Sequence, residues 1–444
     1  MNDWIEIDTL IEAKWIIPIE PAEVVLPQHA IAIDNGIIKD ILPISAAKLC
    51  YNPRQTITLS DHALIPGLIN LHTHAAMTLM RGLADDLPLM EWLNKHIWPI
   101  ENRHVDAQFV SDGTQLACAE MIKGGITCFN DMYFFPESCV EAAISSGIRA
   151  AIGMIVIDFP TAYASDADDY LTKGLELRDR YHQHPLLSFC FAPHAPYTVS
   201  DKTFNSILTY AEQLNTPIHT HLHETRDEIR MNLESTGIRP IERLHQLGLL
   251  NPNLIAVHMV HLTDHEIKLM HQYGCSVAHC PSSNMKLASG FAPIPSLAHQ
   301  GVNVGLGTDG AASNNRLDMF EEMRLAALLA KATSNQASVM PAHQVLRMAT
   351  LNGANALGLG EITGSLTMGK AADITAINFS DLNLTPCYDP ISHLVYTASR
   401  EQVSHVWVNG RMLLKDKELT TLNSLELQYR TALWHERIVT TLKQ

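Results

Sequence analysis

The chain has no apolar stretch that approaches the ~20 residues of a membrane span, and no run of basic residues or low-complexity tract. Lys and Arg number 31 against 47 Asp and Glu, for a net charge of -16. That balance argues against nucleic-acid or anionic-membrane binding through bulk electrostatics. The opening segment, residues 1–13, has neither a basic n-region nor an apolar h-region, so no signal peptide is expected. The eight cysteines form no CxxC pair. Scattered thiols of this kind fit a reduced, cytoplasmic protein better than a disulfide scaffold. Two common metal signatures, HExxH and HxE…PCxxC, are also missing.

What the chain does have is apolar bulk and histidine. Hydrophobic residues make up 46% of its 444 positions, and 23 positions are His. Strand-like and helix-like segments alternate from Pro66 to about residue 310. Strands are expected over 68–74, 127–132, 150–157, 187–193, 217–223, 254–258, 276–279 and 302–306, with helices over 107–123, 201–214, 263–273 and 317–332. Eight parallel βα units point to a (β/α)8 TIM-like barrel, residues 61–365. The flanks are strand-rich, with turn signals at Asp34-Asn35-Gly36 and Asn409-Gly410. Neither is large enough for its own core. Residues 1–60 and 366–423 are therefore expected to pair into one small composite β-sandwich domain, with 424–444 as a helix docking on the body.

A barrel should carry its chemistry at the C-terminal ends of its strands, and polar residues collect there. Strand one ends in His72-Thr73-His74, strand four at His194, strand five in His219-Thr220-His221-Leu222-His223-Glu224, strand six at His258 and strand seven at His279. Strand eight runs into Thr308-Asp309-Gly310. Side chains alternate along a strand, so His72 and His74 share a face with Asn70 and can close on one metal ion. By the same alternation His219, His221 and His223 share a face. His221 sits at the height best matched to the barrel mouth, with His219 deeper and His223 beyond the strand end. Asp309 follows Gly305-Leu306-Gly307. That run fits GxGxxG, but it opens no clean helix and lies at the wrong end of the series for a dinucleotide site. Glycines there let the backbone crowd a barrel mouth.

These segments resemble the amidohydrolase superfamily. The carriers are residues 66–74 (Pro-Gly-Leu-Ile-Asn-Leu-His-Thr-His), His221-Leu222-His223-Glu224-Thr225, His258, and residues 307–315 (Gly-Thr-Asp-Gly-Ala-Ala-Ser-Asn-Asn). They are similar to its mononuclear-zinc aminohydrolase branch, which holds 5'-methylthioadenosine/S-adenosylhomocysteine deaminases and triazine hydrolases. The resemblance implies that His72, His74, His221 and Asp309 hold one zinc ion per subunit, a donor set that iron or manganese can also occupy. It implies that Glu224 faces the heterocycle, that His258 contacts the attacking water, that His194 lines the pocket, and that Glu101 holds ribose hydroxyls. Strand four ends in His194 with no lysine nearby, where binuclear members carry a bridging lysine, so one metal is expected. The implied reaction converts 5'-methylthioadenosine, S-adenosylhomocysteine or adenosine to the inosine analogue plus ammonia. Asp309 and His258 would take a proton from water, and a protonated Glu224 would donate to the ring nitrogen.

Members that favour S-adenosylhomocysteine often place arginine after strand three. Here residues 153–160 hold none, and Arg149 lies at the strand start. A preference for methylthioadenosine or adenosine follows. The apolar run Met77, Met80, Leu83, Leu87, Leu89, Met90, Trp92 is a candidate roof for a methylthio group. The rival activity is hydrolysis of a free ring, guanine or an s-triazine, which has no diol for Glu101 to hold. A silent scaffold barrel should have lost metal ligands, and this chain keeps all of them. The partner is expected to be a small-molecule nucleoside, and the protein a homo-oligomer.

Overall fold

The computed structural model describes residues 4–443. Met1–Asp3 of the expected flanking domain and Gln444 of the expected C-terminal helix lie outside the described residues. The chain opens with β1 (Ile5–Ile16), β2 (Leu26–Asp34), β3 (Ile37–Pro43) and β4 (Tyr51–Pro66). The barrel strands follow: β5 (Leu68–Thr73), β6 (Ile126–Asp131), β7 (Arg149–Val156), β8 (Leu187–Pro193), β9 (Ile218–Leu222), β10 (Leu254–His258), β11 (Ser276–His279) and β12 (Asn303–Leu306). The chain then adds β13 (Ile374–Asn378), β14 (Val403–Val408), β15 (Arg411–Lys415) and β16 (Glu418–Leu419), and ends in a helix, Ser424–Leu442.

Strands β5 to β12 form one parallel sheet in chain order. Their near-continuous apolar, buried runs are what a parallel sheet covered on both faces requires. The ends of this sheet meet at β5 and β12. Asn70 stitches them: its Nδ2 donates to Thr308 Oγ1 (2.7 Å) and its Oδ1 accepts from Thr308 N (2.9 Å). Just above, Asp309 N donates to His72 O (3.0 Å). The approach is close enough that a Cβ on Gly307 would stand 2.8 Å from His72 N, so only glycine fits there. The barrel expected from the βα pattern is therefore closed at the point where His72 and Asp309 leave their strands.

The other strands form a separate mixed sheet from both chain ends, in the order β16-β15-β14-β13-β4-β1-β2-β3, hydrogen-bonded as one run. β1 pairs parallel to β4 and antiparallel to β2. Both Asn-Gly turns are hairpin turns with positive φ at each central residue: Asn35 (51°) and Gly36 (77°), Asn409 (48°) and Gly410 (75°). The C-terminal helix docks on the Ala107–Lys123 helix. Arg430 Nη1 and Trp434 Nε1 donate to the two oxygens of the buried Asp112 carboxylate, at 2.6 and 2.9 Å.

Candidate active site

Residues from all eight strand ends or the segments behind them face one hollow at the C-terminal mouth of the barrel. The hollow is lined by His74, Glu101, His194, His221, Glu224, His258 and Asp309 among others. At its floor, His72 Nε2 and His74 Nε2 each lie 3.3 Å from Asp309 Oδ1, and His221 Nε2 lies 3.2 Å from His72 Nε2.

The protons on these rings follow from their outer contacts. His74 Nδ1 faces the Met132 carbonyl (2.6 Å) and His221 Nδ1 the His194 carbonyl (2.8 Å). A carbonyl only accepts, so each Nδ1 carries the proton and each Nε2 is a bare lone pair. Asp309 Oδ1 is an acceptor too. His72, whose Nδ1 meets His219 Nε2 at 3.0 Å, can supply at most one proton to this cluster. The remaining lone pairs face one another with no donor between them, a repulsion that a cation relieves. Ligand atoms bound tetrahedrally at about 2.0–2.1 Å stand roughly 3.3–3.4 Å apart, which matches the spacing here. The donors are in the state a metal needs. Burial holds His72 down to about 4 and His221 well below the usual histidine range. Burial alone would raise Asp309, but its interactions with His72 foremost, then with His74 and His258, outweigh that and hold the carboxyl well below its usual range. The residues present therefore fit one zinc-class ion.

The outer contacts brace this donor set. Ser283 Oγ donates to Asp309 Oδ2 (2.6 Å) and Gly310 N to Oδ1 (2.7 Å), which leaves the second lone pair of Oδ1 for the cluster. Asp131, the last residue of β6, accepts from Thr73 Oγ1 (3.0 Å) and from Ala75 N (2.7 Å), bracketing His74. His258 Nδ1 meets Asn284 Oδ1 at 2.9 Å, which turns a bare Nε2 toward Glu224 Oε2, 3.7 Å away. Glu224 is buried, and burial is the main cause that raises its carboxyl above the usual range. Thr198 donates to Ala195 O (3.1 Å) and takes the His194 Nδ1 proton (3.0 Å), so Nε2 of His194 is also a bare acceptor. Burial holds that ring down to about 3.

Glu101 comes from the Trp98–His104 helix and reaches the hollow beside Tyr133, whose hydroxyl donates to its Oε1 (2.7 Å). Burial raises Glu101 to about 7 against the pull of that hydrogen bond. A second hollow of about 400 Å³ adjoins the first and shares Trp98, Glu101, Phe134, Ile155, His194 and Tyr197 with it. Its far wall is Ile157, Phe159, Pro160 and Tyr163, and among the described residues no lysine or arginine lines it. Arg149 lies at the opposite end of β7, paired with Asp373.

Two expectations need correction. His223 does not share the face of His219 and His221. Strand β9 stops at Leu222, His223 has φ +55°, and its ring turns outward, where Nδ1 meets His261 O (3.0 Å) and Nε2 accepts from Ile241 N (3.1 Å). The run from Met77 to Trp92 is not one roof either. Met77, Leu89 and Trp92 line the hollow, while Met80, Leu83 and Leu87 pack in the cluster behind it. The chain there is a 3-10 turn, Ala75–Met80, then a helical run in which Leu93–Ile97 is a π-turn. His279 is buried outside the hollow. Sequence reasoning did not single out Tyr133, Asp131, Tyr197 or Ser283. The rule that chemistry sits at strand ends could have found Asp131 and Tyr133.

Residues 63–413 match the model of the amidohydrolase family. The chain is 47% identical, over 99% of both chains, to a 5-methylthioadenosine/S-adenosylhomocysteine deaminase of Teredinibacter turnerae. It is 46% identical, over 97% of both, to one of Saccharophagus degradans. Its fold matches the crystal structure of an adenosine deaminase from Xanthomonas campestris with bound zinc, with a TM-score of 0.97 and 48% identity over 98% of this chain and 100% of that one. Barrel, site and similarity agree: the chain belongs to the amidohydrolase family.

Proposed function

We propose that the protein is a zinc-dependent hydrolytic deaminase of adenine nucleosides, converting 5'-methylthioadenosine or a related nucleoside and water to the inosine analogue and ammonia. The observation that carries this reading is a pair of carboxyls on one hollow, Glu224 buried and Glu101 half-buried. Glu224 stands beside the convergent donor cluster, and Glu101 stands on the wall shared with the apolar annex. The similar proteins named above as deaminases support it. His72, His74, His221 and Asp309 would hold the ion, which supplies a water with a pKa lowered toward neutrality. The bare Nε2 of His258, with Asp309, accepts the proton of the attacking water. Glu224, whose carboxyl burial raises above the usual range, donates in its protonated form to the ring nitrogen next to the carbon under attack. That carbon becomes tetrahedral, the water proton passes to the amino group, the C–N bond breaks to release ammonia, and the hydroxyl proton goes back to Glu224 as the carbonyl forms. His194 lines the nucleoside, and ionised Glu101 accepts from the ribose diol.

The annex takes the 5' substituent. With no lysine or arginine among its described lining to meet a carboxylate, it favours a methylthio group or a hydroxyl over the charged tail of S-adenosylhomocysteine, because an unpaired charge is costly to desolvate. Residues 61–365 are read as the catalytic unit, residues 1–60 with 366–423 as the composite β unit, and 424–444 as a docked helix. Eight free cysteines, six of them buried, support a cytoplasmic location. The test is ammonia release by the zinc-loaded protein from methylthioadenosine, S-adenosylhomocysteine, adenosine, guanine, cytosine and a chlorotriazine. We expect the highest kcat/KM for methylthioadenosine or adenosine. Release from none of the adenine nucleosides would overturn the reading, and a clear lead for S-adenosylhomocysteine would overturn the preference.

A further inference from the structure

Glu228 sits in the first turn of the Arg226–Thr236 helix and is 2% exposed. Each of its oxygens takes a backbone N–H from the loop ahead: Oε1 from His223 (2.8 Å) and Oε2 from Glu224 (2.7 Å). A glutamate three residues past the N-cap ordinarily reaches back to the N–H of the cap residue, which is Thr225 here. The reach of Glu228 goes one and two residues further. The loop it holds is a reversed one. His223 has φ +55°, a left-handed conformation that costs a side-chain-bearing residue stability. That reversal sends the His223 ring outward to His261 and Ile241, and the next residue, Glu224, back into the barrel, 3.7 Å from His258. Thr225 caps the same helix by a separate bond, accepting Glu228 N at 3.2 Å.

We propose that Glu228 is the positioning residue for Glu224, its carboxylate holding the reversed backbone that aims the proton donor at the ring nitrogen. The inference rests on the reading of Glu224 as that donor. A carboxylate is suited to the task because both oxygens accept. Glutamine has the same shape but would turn an NH2 against one of the two N–H groups.

Glu228→Gln and Glu228→Asp, which is one methylene too short to reach both N–H groups, are compared with Glu224→Gln and Thr225→Ala. All are assayed on the best substrate of the wild-type protein. Glu228→Gln should lower kcat about 10- to 100-fold with KM within threefold and metal content unchanged, since a small misplacement of a catalytic group costs on that order. The amides of residues 223 and 224 should lose hydrogen-exchange protection. Thr225→Ala loses only the cap, so it should lower thermal stability and leave kcat within twofold. A kcat for Glu228→Gln within twofold of wild type, or a fall matched by lost metal, would overturn the proposal. Failure of both Glu228 variants to fold would assign the residue to stability alone and also overturn it. Full activity in Glu224→Gln would instead sink the donor reading on which it rests.

Discussion

A carboxyl grips a sugar diol with two acceptors only when ionised, since protonation turns one oxygen into a donor. Burial raises Glu101 to about 7, so its grip is made from the neutral range upward. The protonated form persists below that value. kcat/KM for the nucleoside should therefore climb as pH rises through about 7, mainly through KM, and level off above it. Glu101→Gln should remove this limb and cost about 10- to 100-fold in kcat/KM, the loss of one charge-assisted hydrogen-bond site. A pH series on both proteins with saturating metal checks this, and a limb that survives in the glutamine variant would take Glu101 out of the grip. At this scale, period-two alternation made His72, His74 and His221 legible in the sequence, and the glycines of the seam marked Asp309. The same alternation failed at His223, because a strand's period ends where its hydrogen bonds do, one residue earlier. Tyr133, Ser283 and Glu228 carry no such mark. Tyrosine, serine and glutamate are common, and theirs is a role set by which loop packs on which.

The elements most legible in advance are those with chemical punctuation. The Ala107–Lys123 helix has its expected limits because Asp106 caps it, accepting Phe109 N at 2.8 Å, and Gly124-Gly125 ends it. Strands β8, β10 and β11 likewise match their expected spans, each bounded by turn residues. Residues 75–104 were not legible. Positive φ at Gly82, Ala84 and Asp86 breaks the near-helical spacing of Met77, Met80, Leu83 and Leu87, and the chain then passes through the π-turn at Leu93–Ile97. That segment leans on the Ala107–Lys123 helix, where Thr78 Oγ1 donates to Gly113 O (2.6 Å). The same helix presents Asp112 to the C-terminal helix, and Trp434 packs edge-on against Phe109 at 5.2 Å. Trp434→Ala should therefore cost about 3–5 kcal/mol as a buried cavity. Trp434→Phe, which keeps most of the volume and loses the bond to Asp112, should cost about 1–3 kcal/mol. Urea unfolding of both variants reads the two costs. Equal losses would mean that the hydrogen bond, not the packing, fixes this helix.

For the whole molecule, the barrel and the composite sheet are joined at the end away from the site. Arg149 opens β7, and Asp373 stands just before β13. Arg149 Nε and Nη2 donate to the two oxygens of Asp373 at 3.0 and 3.3 Å, with both side chains buried. The pair is tied further on each side: Arg149 Nη1 donates to Pro185 O (2.8 Å), and Asp373 Oδ1 accepts from Asn409 N (2.7 Å) at the β14–β15 turn. One ion pair thus links β7 and the segment that leads into β8 to the start of β13 and the β14–β15 turn. Removing one charge strands the other in a low-dielectric interior, so Arg149→Met should destabilise by about 3–5 kcal/mol. Replacing both, as Arg149→Met with Asp373→Leu, should recover part of that, because no lone buried charge remains. Recovery stays incomplete, because Asn409 N then has no acceptor, at about 1–3 kcal/mol. The pair sits at the strand starts, where a barrel's residues serve stability, while the donor cluster sits at the strand ends. Folded Arg149→Met protein should therefore keep kcat within about twofold at a temperature well below its melting transition. Urea midpoints paired with kcat for the single and double variants separate the outcomes. A large fall in kcat with an unchanged midpoint would show that this junction shapes the mouth of the barrel from its far end.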